Sequence, residues 1–517
     1  MAALVYFSIQ SCYHILKGEM TMKLFINGTE YAFTAGETVM DVLRRESISI
    51  TSPCGGKGTC GKCTVNANGQ QVLSCKTLAE EDMSVITVTE TPMEVLEQGT
   101  AQQVDITNDA AYNELGIACD IGTTTVVCHL IHMKSGKRLA TVSGANAQAA
   151  WGADVISRIQ AASDGSLEEL QRAIISQING FIDRACTESG KDKVDIKYMT
   201  VAGNTVMCHL FTGLSPESIG KAPYTPMSLF GNTVQAEKLG LNIDGEVYII
   251  PSISGYVGGD ITAGVLSCGM GEGISLLIDV GTNGEMVLCV NGKMLCCATA
   301  AGPAFEGAEI QCGAPAQPGA ISQVNVEGRE LKLTTIGGED PTCICGSGLI
   351  DALAVMLKLG AVDETGRLLD DEESEAPEFL IELDDDDAFA LTGDGIVYIT
   401  QQDIRKLQLA KGAVAAGIGV LLEEAGIKAE QVQSLMLAGG FGSKMNPITA
   451  AAIGLIPQQM LPVTKAVGNA AGEGAVAALL SLNARKRLDE IKRNMTYIEL
   501  STHKGFTDRF VEEMMFE

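Results

Sequence analysis

Four cysteines carry the most specific chemistry in the chain. Cys54, Cys60 and Cys63 lie in the run Pro53-Cys-Gly-Gly-Lys-Gly-Thr-Cys-Gly-Lys-Cys-Thr64, and Cys75 follows in Leu73-Ser-Cys75. The glycines at 55, 56, 58 and 61 let a backbone curl tightly around a ligand while its N–H groups point inward. Three thiolates at C-x5-C-x2-C spacing, with a fourth close behind, can ligate two irons in an electron-carrying [2Fe–2S] cluster. A structural zinc site shares the C-x2-C pair, but zinc sites of that kind usually pair two such hairpins. Only one is present here. Cys54, Cys60, Cys63 and Cys75 are therefore predicted as the metal ligands.

A second chemistry is written in two turns. Ile117-Ala-Cys-Asp-Ile-Gly-Thr-Thr-Thr125 is an apolar strand that runs into an Asp and a Gly–Thr turn. Leu276-Leu-Ile-Asp-Val-Gly-Thr-Asn-Gly-Glu-Met286 repeats the figure. The turns, Gly122-Thr123-Thr124-Thr125 and Gly281-Thr282-Asn283-Gly284, can present N–H groups and hydroxyls to a phosphate chain, while Asp120 and Asp279 hold hydrated Mg²⁺. One such turn is commonplace; two amount to an internal duplication. Leu435-Met-Leu-Ala-Gly-Gly-Phe-Gly442 adds a strand ending in Gly439, Gly440 and Gly442, where a backbone can approach adenine and ribose. Asn204 is either an N-cap or a polar wall of the same cleft. Asp260, in Gly258-Gly-Asp260, is either a helix cap or the carboxylate that orients an attacking water. Glu306 could share that role or meet a macromolecular client. His129, His132 and His209 sit in or beside apolar runs and are expected as packed residues rather than metal ligands.

Both chemistries need scaffolds. Met22-Lys-Leu-Phe-Ile-Asn-Gly28 and Tyr31-Ala-Phe33 predict a β-hairpin turning at Asn27-Gly28. Thr38-Val-Met-Asp-Val-Leu-Arg-Arg45 predicts a short amphipathic helix with Val39, Val42 and Leu43 on one face. With strands around Thr64-Val65 and 85–87, this order makes a β-grasp ferredoxin module over 21–95. Plant-type ferredoxins space their cysteines C-x4-C-x2-C with a distant fourth, so the first gap here is longer and the last short. A polar linker over 96–115 follows, then α/β alternation through 116–273 and 274–485, and an unassigned tail over 486–517. The predicted fold is α/β and multidomain: a β-grasp [2Fe–2S] ferredoxin followed by a long α/β region that carries the duplicated turns.

At 517 residues the chain must hold several cores. A net charge of −28 argues against nucleic acid and against anionic membrane surfaces as partners. Sixteen cysteines in so long a chain fit a reducing cytoplasm better than a disulfide framework. Cys296-Cys297 and Cys343-x-Cys345 are expected as buried small residues. No apolar run reaches the roughly 18 residues of a transmembrane helix. Residues 1–16 lack a basic n-region and a cleavage site. Lys17-Gly-Glu-Met20 reads as a translated ribosome-binding sequence before a start at Met20 or Met22, so 1–20 are expected to be a disordered or artefactual leader. The acidic stretch 370–387, with Asp384-Asp-Asp-Asp387, is expected as solvated surface.

The two turns and the glycine strand together resemble the acetate and sugar kinase/Hsp70/actin superfamily. That resemblance implies two RNase-H-like lobes that clamp Mg·ATP and change their mutual angle with nucleotide state. Val467-Gly-Asn-Ala-Ala-Gly-Glu-Gly-Ala475 looks like a connecting helix whose small residues let it cross its counterpart closely. Longer blocks are similar to the reductive activators of corrinoid proteins. They are Asn146-x-Gln148 with Trp151-Gly-Ala-Asp-Val-Ile-Ser-Arg158, and Val201-Ala-Gly-Asn-Thr-Val-Met-Cys-His-Leu210. Gly302-Pro-Ala-Phe-Glu-Gly-Ala308, Ile344-Cys-Gly-Ser-Gly-Leu-Ile-Asp351 and Ile399-Thr-Gln-Gln-Asp-Ile-Arg-Lys-Leu-Gln-Leu-Ala410 complete the set, which spans 22–485.

This second resemblance implies a cytoplasmic, ATP-dependent enzyme of anaerobic metabolism. It would return the Co(II) corrinoid protein of a methyltransferase system to Co(I), passing one electron from a low-potential cellular donor through the cluster. The implied partners are the corrinoid protein and the donor, with a homodimer left open. Larger members carry an extra middle domain, expected here to be replaced by the short linker. The rivals are a small-molecule kinase with a fused redox module, an ATP-gated donor to another low-potential enzyme, and an adaptor with a dead ATPase fold. Intact Asp120, Thr123, Asp279 and Thr282 oppose the last. Activators of radical dehydratases resemble the ATPase lobes alone and lack the ferredoxin.

Overall fold

The computed structural model describes residues 22–46, 48, 50, 52, 54–87, 99, 105–108, 110–111, 113–383 and 387–516. The leader, the end of the first module, most of the linker and residues 384–386 of the acidic run lie outside them. The chain forms two compact units: one takes in the residues up to 90 with 145–180 and 209–227, the other the remainder.

In the first unit, β1 (Met22–Ile26) and β2 (Thr29–Phe33) pair antiparallel around Asn27 and Gly28, both at positive φ, as a type I′ turn requires. The helix Val39–Arg45 starts at a capping box in which Thr38 and Asp41 bond each other's backbone N–H. It buries Val39, Val42 and Leu43 as expected, and Met40 as well. With β3 (Thr64–Ala67), β4 (Gln70–Leu73) and β5 (Ser84–Thr87) the sheet order is β2-β1-β5-β3-β4. The parallel β1–β5 pair at its centre makes it a β-grasp sheet. In the same unit the 145–180 stretch is knitted by its polar side chains. Gln177 accepts from the Ala147 N–H at 2.9 Å, and Gln148 donates to the Leu170 carbonyl at 2.9 Å.

The second unit is built on two six-stranded sheets. The first comprises β6 (Leu115–Ile121), β7 (Thr125–His132), β8 (Lys137–Ala145), β9 (Ile196–Gly203), β10 (Asn232–Gln235) and β11 (Glu246–Ile249), in the order β10-β11-β9-β6-β7-β8. The second opens with β12 (Ile274–Val280), β13 (Gly284–Val290) and β14 (Lys293–Thr299). Two three-stranded sheets follow in the chain: β15 (Ala320–Glu327), β16 (Glu330–Thr335) and β17 (Cys343–Ile344), then β18 (Leu380–Glu382), β19 (Asp387–Ala390) and β20 (Tyr398–Thr400). The chain then returns as β21 (Ser434–Ala438), β22 (Thr464–Gly468) and β23 (Met495–Tyr497), giving β22-β21-β12-β13-β14-β23.

The duplication shows in the pairing. β11, β9 and β6 run parallel with β7 antiparallel; β22, β21 and β12 run parallel with β13 antiparallel. The central strands read as near-continuous apolar runs because both faces are covered. The helices Gly259–Ser267 and Ala470–Leu480 cross so closely that a Cβ on Gly474 would collide with the Ala263 carbonyl, as the small residues of that block predict. Ser267 Oγ donates to the Ala470 carbonyl at 2.8 Å.

The residues beyond Arg485, unassigned from sequence, complete the second sheet. β23 pairs parallel with β14, and the helix Phe506–Glu512 packs on the helix Gln401–Ala425. Buried Lys411 donates to the carbonyls of Glu513 (2.6 Å) and Met515 (2.7 Å), which fixes the chain's end. Among the described residues no helix is long and apolar enough to cross a membrane.

Candidate functional site

The first site is the cysteine loop. Gly55, Gly56, Gly58 and Gly61 all adopt positive φ (64°, 89°, 73° and 69°), so the loop takes the curled form that a side chain would oppose. It sorts the four thiols into two pairs: Cys54 and Cys60 with Sγ atoms 3.3 Å apart, and Cys63 and Cys75 likewise at 3.3 Å. Two thiols per metal suit two irons better than one tetrahedral zinc. Among the described residues no three His, Cys, Asp or Glu side chains converge on a single-ion site. Burial opposes ionisation of Cys54, but hydrogen bonds from Cys60 and Thr59, backbone first, overcome it and hold the thiol down at about 5. A loop that aims N–H groups at sulfur in this way fits an iron–sulfur cluster.

Arg44 covers this loop from the helix side. A Cβ on Gly56 would lie 3.2 Å from its guanidinium. Burial lowers the Arg44 pKa, while Asp41 and the cluster cysteines oppose that shift. Its Nε donates to the Ala150 carbonyl at 2.9 Å, and its guanidinium lies 5.6 Å from the centre of the Trp151 ring.

The second site is a group of carboxyls at and near the ends of β6 and β12. Asp120 and Asp279 occupy the same place, one residue before the end of each strand. Each strand then turns sharply: the Gly122 N–H bonds the Thr125 carbonyl and the Gly281 N–H bonds the Asn283 carbonyl, both at 2.9 Å. A Cβ on Gly439 would collide with the Asp279 carboxylate, so the glycine strand closes directly over that acid. Gly440 has open space where a side chain would be, and the adjacent Phe441 stacks on Phe305 with centroids 5.1 Å apart. Gly442 lies against the Ala438 carbonyl.

Asn204 is the N-cap, and it also reaches the first of the two turns. Its Oδ1 accepts from the Met207 N–H at 2.9 Å, capping the helix Thr205–Thr212, while its Nδ2 donates to Thr123 Oγ1 at 3.0 Å. Asp260 lies in the first turn of the helix Gly259–Ser267, where its carboxylate accepts from the Ile261 N–H at 2.8 Å. Glu306 accepts from Thr282 Oγ1 at 2.9 Å and from Thr124 Oγ1 at 3.3 Å, so it touches both Gly–Thr turns.

Asp279, Asp120 and Asp260 are all raised, with burial the largest cause in each. Burial lifts Asp279 to about 6. Burial and the charge of Asp279 lift Asp120 to about 7, against a hydrogen bond from Asn469. Burial, then Asp279 and more weakly Asp120, carry Asp260 to about 8. Two residues of this group escaped the sequence reading. Glu285 is paired directly opposite Asp279 and is pushed well up by burial, Asp260 and Asp279. Asn469, the N-cap of the helix Ala470–Leu480, is the one that bonds Asp120.

The histidines and the other acids of the longer blocks are packed or bonded locally. His129 is buried with Nδ1 3.0 Å from Thr141 Oγ1, and burial followed by Arg138 pushes it down to about 3. His132 meets Ser135 Oγ at 2.8 Å, and His209 is buried. Cys296, Cys297, Cys343 and Cys345 are buried free thiols, as expected. Asp351 is tied by Thr449 Oγ1 (2.6 Å) and the Val324 N–H (3.3 Å), and Asp403 caps the helix Gln401–Ala425.

Three family models match the chain. Residues 19–90 match a 2Fe-2S iron-sulfur cluster binding domain, 115–273 the RACo middle region, and 273–517 the C-terminal domain of RACo, the ASKHA domain. The expectation that the middle region is missing therefore falls: it occupies the residues read as a first ATPase lobe. The tail likewise lies inside the C-terminal match. The chain is 31% identical to the corrinoid activation enzyme RamQ of Eubacterium limosum, over 92% of this chain and 96% of that one. It is 24% identical to the [Co(II) methylated amine-specific corrinoid protein] reductase of Methanosarcina barkeri, over 78% and 77%. A solved reductive activator for corrinoid, iron-sulfur protein superposes with a TM-score of 0.70 at 32% identity, covering 96% of this chain and 98% of that one.

Proposed function

This chain belongs to the RACo family, with a 2Fe-2S domain, a RACo middle region and an ASKHA domain, and we propose on that basis that it is an ATP-dependent reductive activator of a corrinoid protein. Its substrate is the inactive Co(II) form of a corrinoid protein in a methyltransferase system, which gains one electron to become Co(I). The electron comes from a low-potential cellular donor. The observation that carries the reading is the match along nearly the whole chain to activators of this kind, with both chemistries intact.

The residues divide the work. Cys54, Cys60, Cys63 and Cys75 hold the cluster, which supplies one-electron storage when bound. In the cleft, Asp120 and Asp279 hold hydrated Mg²⁺ of Mg·ATP. Their raised pKa values support this, because a carboxylate group destabilised by its own charge gains most from a cation. Asn469 fixes the Asp120 carboxylate, and Asn204 fixes the Thr123 hydroxyl toward the phosphates. Asp260 orients the water that attacks the terminal phosphate. Gly439, Gly440 and Gly442 leave the backbone open to adenosine. ATP shifts the corrinoid partner's equilibrium only through its differential affinity for two states of the complex.

The test is anaerobic visible spectroscopy of a Co(II) corrinoid protein mixed with this protein, a low-potential reductant and Mg·ATP. Growth of the Co(I) band only with ATP, and its loss in Cys60→Ala, is the expected result. ATP turnover without Co(I) across several unrelated corrinoid partners would overturn the reading.

A further inference from the structure

Glu306 is bonded at both of its carboxylate oxygens. Its two oxygens are taken up by Thr282 Oγ1 (2.9 Å) and Thr124 Oγ1 (3.3 Å), hydroxyls of the two phosphate turns, one from each half of the duplication. A carboxylate and a phosphate are both anionic acceptors and compete for the same donors. Around Glu306 the backbone is held. The Phe305 ring stacks on Phe441 with planes 5° apart. The Phe305 carbonyl packs against the start of the helix Gly346–Lys358, where a Cβ on Gly346 would collide with it. The carboxylate itself has room, since a Cβ on Gly281 would still lie 3.6 Å from Oε1. What can move here is the side chain rather than the turn that carries it.

We propose that Glu306 is a built-in stand-in for the nucleotide's terminal phosphates. It ties the two turns together in the nucleotide-free protein and is displaced when phosphate takes the Thr124 and Thr282 hydroxyls. Nucleotide binding thus exchanges one link between the duplicated halves for another, and the repulsion to be overcome grows with the number of phosphates. This rests on the ATP-dependent reading above and makes Glu306 a positioning and selectivity residue rather than the one that handles water.

Calorimetric titration of the full-length protein with AMP, ADP and ATP in Mg²⁺, without corrinoid partner, tests it. Glu306→Gln should tighten ATP binding about tenfold, ADP less, and AMP hardly at all, the scale of one partly screened like-charge repulsion. Glu306→Asp, which keeps the charge but cannot span both hydroxyls, should tighten ATP by less than Glu306→Gln. Unchanged ATP affinity with lost turnover in Glu306→Gln would assign the residue to the attacking water and overturn the proposal. Equal tightening of AMP and ATP would reduce it to an ordinary structural bond. Wild-type protein that bound no nucleotide would remove the ATPase reading itself, an outcome distinct from both.

Discussion

The two Asp-x-Gly-Thr turns have the same strand pairing and nearly the same residues, yet their acids stand in different company. Asp120 is opposed across its hairpin by Val127 and is steadied by Asn469. Asp279 is opposed by Glu285 and covered by Gly439. Of the three aspartates Asp279 is the least shifted, at about 6, and its charge helps push Asp260, Asp120 and Glu285 upward. A duplication therefore does not leave two equal sites. One turn's acid faces a second carboxyl and lies under a glycine, while the other's faces an apolar side chain and is held by an amide.

Removing Asp279, the acid that faces Glu285 and lies under Gly439, should have the largest effect. Asp279→Asn should lower ATP turnover by about two to three orders of magnitude, the scale of losing a preorganised electrostatic group, and Asp120→Asn by about tenfold less. Steady-state phosphate release checks the order. Equal losses would erase the asymmetry.

The next test is pH. Asp279, Asp120 and Asp260 are raised from an ordinary 3.8 to about 6, 7 and 8. The folded protein therefore holds protons that the unfolded chain has released, so this contribution is whole below about pH 4 and is lost as pH rises through 6 to 8. Without nucleotide or Mg²⁺, the melting temperature should fall across that range. The fall should be shallower in Asp260→Asn, most clearly in its upper part. A parallel profile would show that Asp260 does not share the cleft's charge.

Smaller effects follow from the two flanking residues. Glu285→Gln replaces an acid whose ionisation burial, Asp260 and Asp279 oppose, and should stabilise the nucleotide-free protein at pH 8 by about 1 kcal/mol, read by chemical denaturation. Asn469→Ala removes a cap and the hydrogen bond to Asp120, and should cost about 1–2 kcal/mol in the same assay.

Local patterns made much of this visible in advance. The Asn27-Gly28 hairpin, the capped helix over 39–45, the cysteine loop and both Asp-x-Gly-Thr turns are set by residues within a few positions of one another, so spacing alone reveals them. The missed residues depend on pairing or distance. Glu285 lies inside the run already singled out, but only the register opposite Asp279 turns its carboxylate toward the cleft. Asn469 reaches Asp120 from far along the chain, through the closely crossed helices. Glu306 was a candidate from its block, but its bonds to Thr124 and Thr282 exist only once the two halves meet. The tail carried no motif because its part is to add an edge strand and to bury Lys411.

The most direct measurement pre-reduces the protein, removes free reductant and mixes it anaerobically with a Co(II) corrinoid protein. The visible bands of cluster and cobalt are then followed with and without Mg·ATP, in wild type and in Asp279→Asn. Wild type should form Co(I) as its cluster is oxidised only when ATP is present, whereas Asp279→Asn should keep a normal reduced cluster and form none. Co(I) formed at the wild-type rate by Asp279→Asn would contradict the claim that the carboxylate cleft governs the electron's release.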